Sequence, residues 1–496
     1  MAGRPRASVL FRHAGLVMLT AMVAGCAGYS SQTAETVSAA KAGDLSEALA
    51  LHEKQNASAD KDLLYYLEKG ELLRLQGNYQ ASRKSWLMAD NRIQAWEDDV
   101  RTDPSKVLGD IGSYLVNDTT RRYDGRDYEK VFLNVQIALD HLALGDWNDA
   151  RTEITKMHER EAVIADYRSK EIDAAMDEAR AKGLRTTSYK DLSGYPVETL
   201  DDPAVRSLTN SYESAFGNYL AGFVYEALDE PSLAAPGYRK AAEMRPNVPL
   251  VDDGLKGLDS RLSAPKTRDD VDTLLVIETG QAPAIHSQTL PIMLPIPGRY
   301  GMSLVATPVS WPVIWPDPTN GVPSSVTVDG TALPVVMLTD VNAMARRALR
   351  DEMPGIIVRS SIRAITRGAV QAGFEQGTQN GNGEAAAIGE LIGLITAVAS
   401  VATEVADERI WRLLPGYYSI ARTTLPAGTH RITLTTQYGV ESADVPVSGP
   451  YAVVALRLFG PNLYAASSAA NSNASAVAAA GQRAATASAG AGAAAK

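Results

Sequence analysis

Cysteine is nearly missing from this chain. Its 496 residues hold one, Cys26, so no intramolecular disulfide can form and packing must carry the stability. Histidine is scarce too. The six present make no His-x-x-x-His or His-Glu-x-x-His pair, and with no second cysteine the common metal-site motifs are excluded. Phosphate loops are also missing, since Gly377–Gly381 lacks the Lys-Ser/Thr that such loops require. Gly-x-Ser-x-Gly does not occur. Lys and Arg number 48 against 58 Asp and Glu, and a net charge of −10 argues against a nucleic-acid partner. Acidic pairs such as Asp98-Asp99 and Asp252-Asp253 fall near helix ends or turns, where solvated carboxylates are ordinary. The expectation is therefore no catalytic residue, no metal and no soluble cofactor.

The lone cysteine is well placed for another role. Arg4, Arg6 and Arg12 precede an apolar core, Ala14 to Val23, which is too short to span a bilayer. The core ends in Val23-Ala24-Gly25-Cys26, which resembles the lipobox of bacterial lipoproteins. That resemblance implies cleavage before Cys26, with residues 1–25 as signal peptide and Cys26 carrying covalent lipid, palmitate included. One acyl chain holds a protein to a membrane only marginally, so a lasting anchor needs two or three. Ala27 is not Asp, which by the same resemblance favours the periplasmic face of the outer membrane. Residues 26–38 read as the lipidated cysteine and a flexible tether.

A helical region follows, over 39–262. Gly43-Asp44, Gly77-Asn78 and Gly145-Asp146 stand 34 and then 68 residues apart, with Ala48, Ser82 and Ala150 after them. Thirty-four is the tetratricopeptide period, of which 68 is the double. A slot near Ile111 lacks the pattern. A further unit carries Gly222, Ala234, Tyr238, Ala241 and Pro246, with an insertion over Gly183–Pro203 accounting for its late arrival. Such units stack and leave a concave groove able to hold a peptide or partner helix. Tyr79, Trp147 and Tyr238 are the candidate groove aromatics. The alternative is that the units are only a spacer or a platform for the second half.

The second domain, 271–462, reads as α+β. Strands are expected at 273–277, 303–306, 326–328, 331–336, 418–422, 430–435 and 453–459, with Asp329-Gly330 marking a primed hairpin turn. A helical insertion of about 341–407 interrupts them. Its last segment, 385–407, is apolar, but Glu390 inside it makes a buried or partner-facing helix more economical than a membrane contact. The tail, 463–496, is rich in Ala, Ser and Gly and is expected to be disordered. The fold class is thus an all-α tetratricopeptide-like solenoid followed by a β-rich domain with a helical insertion.

Two stretches invite a binding role. Trp311 and Trp315, held by prolines, would make a stiff aromatic loop for a sugar or peptide, unless the rings pack on their own domain. Arg359, Arg363 and Arg367 are four apart on one helix face, and Asp407, Arg409 and Trp411 follow the insertion. These suggest an arginine–carboxylate network joining the insertion to the sheet, or else an anion site.

Longer stretches carry a family resemblance. Tyr123–Asn134 with Ala138–Leu142, Asn218–Glu226, Tyr238–Ala242, Arg359–Ala364, Ala406–Pro415 and Leu425–Gly428 together resemble a family of bacterial outer-membrane lipoproteins with tetratricopeptide-like repeats and no assigned activity. Glu408, and Asp140-His141 in place of the more usual Asn-Tyr, depart from the pattern. The expected function is a non-enzymatic scaffold that binds an envelope protein or peptide. The alternative is a glycan- or peptidoglycan-binding module, or a cell-wall enzyme, in the second domain.

Overall fold

The computed structural model describes residues 28–102, 122–181, 188–264, 270–298, 301–316, 322–378 and 406–469. Helices come first, in antiparallel pairs: α1 Tyr29–Lys41 with α2 Leu45–Gln55, α3 Leu63–Leu75 with α4 Tyr79–Thr102, α5 Asp127–Ala143 with α6 Trp147–Ala181, and α9 Ala215–Ala227 with α10 Pro231–Met244. One turn joins all four pairs. Its left-handed residue is Gly43, Gly77 or Gly145 (φ 86°, 74° and 79°), and in the fourth pair Asp229 (φ 63°). The next N–H returns to the carbonyl five residues back, from Asp44, Asn78, Asp146 and Glu230 to Ala39, Leu73, His141 and Tyr225, at 2.8–3.0 Å. This is a Schellman closure, which satisfies carbonyls the helix end leaves open. Four residues after each of these donors a small side chain, Ala48, Ser82, Ala150 or Ala234, is fully buried where the paired helices approach. Gly70 and Gly222 receive the rings of Trp86 and Tyr238, so an added Cβ would stand 2.0 and 2.7 Å from ring atoms.

Short elements follow: a 3-10 turn Tyr189–Asp191, α7 Glu198–Asp201, α8 Pro203–Arg206, α11 Pro249–Lys256 and α12 Leu258–Ser263. The strands are β1 Asp270–Thr279, β2 His286–Gly298, β3 Gly301–Val313, β4 Ser325–Val328, β5 Thr331–Leu333 and β6 Val336–Asp340. After α13 (Val341–Thr378) come β7 Tyr417–Pro426, β8 Gly428–Thr436, β9 Gly439–Val447, β10 Tyr451–Phe459 and β11 Asn462–Ser467. One sheet has the order β11-β10-β1-β7-β6, with β1 and β10 parallel, and another has β5-β4-β8-β9. Asp329 and Gly330 both have positive φ (50° and 81°), the primed turn that the sequence implies. β2 and β3 form a separate hairpin in which Pro291 faces Pro308. Neither has an N–H, so this pair sits where backbone donors point away from the partner strand. Pro295, Pro297 and Pro312 share that parity, and the prolines blunt both outer edges of the ribbon.

Strand β1 explains the layering. Leu275 and Ile277 join Val326, Ile432 and Leu434 in a core between the two sheets. Leu274 and Val276, on the opposite face, join the helical core with Phe132, Phe216 and Tyr418. Tyr418 stacks between those two phenylalanines, at 4.8 Å from each. The five-stranded sheet is therefore covered on both faces. The helices facing it are covered likewise: 15 of 17 residues of α5 are buried, including Asp127, Glu129, Lys130, Asn134, Gln136 and Asp140.

The polar part of this contact is a buried ion cluster. Arg74 reaches Asp140 (3.1 Å) and Glu278 (2.6 Å), and Arg457 reaches Glu71 (2.9 Å). Gln136 donates to Glu278 (2.9 Å) and to the Tyr418 hydroxyl (2.7 Å). Glu68 accepts the N–H groups of Arg412 and Leu413 at 2.6 and 3.0 Å. The cluster ties α3 and α5 to β1 and β10.

Four expectations need correction. The tether is not thirteen residues long: α1 begins at Tyr29, and its Thr36, Val37 and Ala40 are buried. The tail does not begin at 463, since β11 pairs with β10 through Ser467. Main-chain hydrogen bonds to β10 outweigh the weak apolar pattern there. The start of the insertion, expected as two helical segments, 341–349 and 356–372, is one helix, α13, with Pro354 inside it. Residues 406–410 are not helical. The degenerate slot near Ile111, the apolar segment up to residue 405 and the tail from 470 lie outside the described residues. Among the described residues, no helix is long and apolar enough to cross a membrane.

Candidate functional site

Glu129, in the first turn of α5, organises the site. One of its oxygens accepts the N–H of Trp411 (2.6 Å), and the other accepts the N–H of Arg126 (2.9 Å) and the Tyr123 hydroxyl (2.5 Å). This draws 406–411 across the start of α5. Trp411 is fully buried, edge-on to Trp86 at 5.9 Å. The neighbouring residues 407–409 then face α6 and α13 over a cleft of about 140 Å³.

The cleft is rich in charge, and nearly all of it is matched. Glu352 of α13 bridges Arg126 (2.6 Å) and Arg168 (3.0 Å). Arg168 also bonds Asp127 and Glu171. Asp407 holds Arg409 through two bonds of 2.8 Å, and Arg122 meets Asp124 at 2.6 Å. Asp351 is taken by Arg347 at 2.9 Å. Lys130 contacts Asp127 at 3.3 Å and lies 3.6 Å above the Trp96 ring. Burial pulls its ammonium below the usual lysine range, with Asp127 opposing.

Arg359 is the exception. It lines the cleft yet makes no ion pair or hydrogen bond among the described residues, and its Nε is buried without a partner. Gly355, one turn earlier, gives it room: a Cβ there would stand 3.0 Å from the guanidinium. Arg126 likewise leaves its buried Nε unpartnered. Tyr123, Tyr167, Ile172, Pro312 and Pro354 supply apolar wall.

The expected sites fare unevenly. Asp407, Arg409 and Arg359 line the same cleft, with only the first two bonded to each other, and Arg363 does not join them: it is buried elsewhere and donates to Ser360 (2.9 Å). The side chain of Arg367 is outside the described residues. The network that exists is centred on Arg126, Arg168 and Glu352, and it joins α13 to helices α5 and α6 rather than to the sheet. No local motif marks Arg126 and Glu352 as partners, because 226 positions separate them.

The two-tryptophan loop is also corrected. Trp311 lies on β3 and is fully buried, and only Trp315 is exposed, at 48%. Strand geometry, not the flanking prolines, sets the direction of the first ring. Among the groove aromatics, Tyr238 is fully buried and donates to Glu226 (2.6 Å), so it cannot touch a partner. Trp147 is half-buried against Phe223 of the next pair (6.5 Å). Tyr79 lies beside Arg74 and Asp140, and burial pushes its hydroxyl up to about 12. The helix faces where a groove was expected are covered by the five-stranded sheet. Cys26 lies outside the described residues.

One unforeseen grouping is His141, Asp146 and Asp149, with ligand atoms within 4.8 Å of one another. Arg83 points its guanidinium at this group, 2.7 Å from His141 Nδ1 and 3.5 Å from Asp146, and already supplies the positive charge a cation would bring.

No family model, no curated protein and no solved structure matches the chain. Any functional reading must therefore come from the residues themselves.

Proposed function

We propose that this chain is a lipoprotein anchored through Cys26 to the periplasmic face of the outer membrane, and that it binds a partner without catalysing a reaction. The helix pairs are read as tetratricopeptide-type units used as a platform for the chain's own sheets. The partner, an envelope protein or peptide, engages the cleft between α5, α6, α13 and residues 407–409. One observation carries this reading. The inner faces of α3, α5 and α9 are sealed, whereas the cleft is open and holds an unmatched arginine. The early start of α1 adds to it, because a body that begins three residues after a lipidated cysteine is held close to the membrane surface.

The test is photo-crosslinking in cells from two exposed positions, Ile172 at the cleft and Leu233 on α10 as control. One envelope protein should crosslink from 172 and not from 233. Cys26→Ala should move the protein out of the membrane fraction. Equal crosslinking from both positions, or none, would remove the cleft-binding reading. A membrane-bound Cys26→Ala variant would remove the anchor. The exposed ring of Trp315 supports a glycan reading in second place. Under it, Trp315→Ala would abolish retention on peptidoglycan while leaving crosslinking from 172 intact.

A further inference from the structure

Charge matching narrows what the cleft can hold. Every acidic side chain lining it is engaged by a guanidinium within 4.0 Å, and every lining cation except Arg359 has a carboxylate at that range. The described lining thus offers one unmatched positive charge. A guanidinium presents paired N–H donors that fit a planar carboxylate in two-point contact. A monoanion would complete the charge balance, while a phosphate dianion would leave one negative charge over. The walls beside Arg359 are Tyr123, Tyr167, Ile172 and prolines, so the rest of the ligand meets apolar and aromatic surface. Leaving a buried guanidinium N–H without an acceptor costs about 1–3 kcal/mol, and Gly355 clears space for the group instead of letting a side chain cover it.

We infer that Arg359 is the anchor for a monocarboxylate carried on an apolar body, the chemistry of a peptide's C-terminus or of a free aliphatic acid. The inference rests on the reading of the cleft as the binding site. It names the group recognised there, with Arg359 as the direct contact and Arg126 and Arg409 held in place around it by Glu352 and Asp407.

The experiment is isothermal titration of the mature chain carrying Cys26→Ala, against N-acetylphenylalanine, octanoate, N-acetylphenylalaninamide and inorganic phosphate. Saturable binding of at least one carboxylate is expected, with the uncharged amide at least tenfold weaker. Arg359→Gln should weaken the carboxylate at least tenfold. Arg359→Lys, which keeps the charge but loses the fork, should fall between. N-acetylphenylalanine binding tighter than octanoate would point to a peptide end, and the reverse to a free acid, each in keeping with the inference. No carboxylate binding, equal binding of the amide, an unaffected Arg359→Gln, or phosphate binding more tightly would each overturn it. Crosslinking from Ile172 separates the two levels. If it persists while no carboxylate binds, the scaffold reading stands and only the ligand class falls.

Discussion

Asp140→Asn should stabilise this protein at neutral pH. The cluster between helices and sheet holds two cations, Arg74 and Arg457, against three carboxylates, Glu71, Asp140 and Glu278, and none of the five side chains is more than 5% exposed. One negative charge is in excess in a place that water does not reach. Burial pushes Asp140 up to about 8, against the pull of Arg74, and its Oδ2 has no hydrogen-bond partner. The folded state therefore holds a proton there that the unfolded chain, with an ordinary value of 3.8, releases. A carboxyl raised on folding favours the fold below its unfolded value, and that contribution is lost as pH rises toward the folded value. The loss is at most about 1.4 kcal/mol per pH unit. From pH 4 to pH 7 the ceiling is thus about 4 kcal/mol, and Glu71, also raised by burial, takes part of it. Asparagine copies the protonated form and has nothing to titrate. The advantage of Asp140→Asn should grow by about 2–4 kcal/mol between pH 4 and pH 7. Urea unfolding of both proteins, followed by tryptophan fluorescence at pH 4, 5, 6, 7 and 8, measures it. Glu68, pushed up to about 8 by burial, slopes the same way in both proteins and cancels in the difference. A variant less stable than the parent by the same amount at every pH would refute the reasoning, since Asp140 would then be ionised and stabilising through Arg74.

Glu68→Ala strips acceptors from the part-buried N–H of Arg412 and the buried N–H of Leu413 and should cost about 2–5 kcal/mol by the same urea assay. Gly70→Ala drives a methyl group into Trp86, and a loss of about 1–3 kcal/mol is expected, with altered tryptophan emission. Arg363→Ala removes a buried, hydrogen-bonded guanidinium and should lower the melting temperature by several degrees. Arg359→Ala breaks no bond among the described residues and should leave the melting temperature within about 2 °C of the parent, which separates the structural arginine from the one proposed to bind.

What could be read from the sequence was local. The turns at Gly43, Gly77 and Gly145 were legible because a left-handed residue, an N-cap and a small buried side chain all fall within a few positions. Asp229 fills the same place in the fourth pair, so a search for glycine alone misses that turn while the following Ala234 finds it. Strand β2 was hidden by Pro291, Pro295 and Pro297, which look like breakers until the register puts them all on outward-pointing donors. The cleft and the ion cluster were illegible for a different reason. Arg74 meets Glu278 across 204 positions, Arg126 meets Glu352 across 226, and Arg457 meets Glu71 across 386. Charged residues on helices are ordinarily solvated, so Glu71, Arg74 and Asp140 give no sign that a sheet will cover them. The sign that does exist lies in α5, where Val131, Phe132, Leu133, Val135 and Ile137 crowd apolar residues onto more than one face. A helix of that kind must be covered on both sides. Polar residues interleaved in it must then find buried partners, and here those partners come from α3, α6, β1 and the segment after α13. The sheet that covers the inner faces of the helix pairs leaves this cleft open, and among the described residues no carboxylate lies within ion-pair range of Arg359.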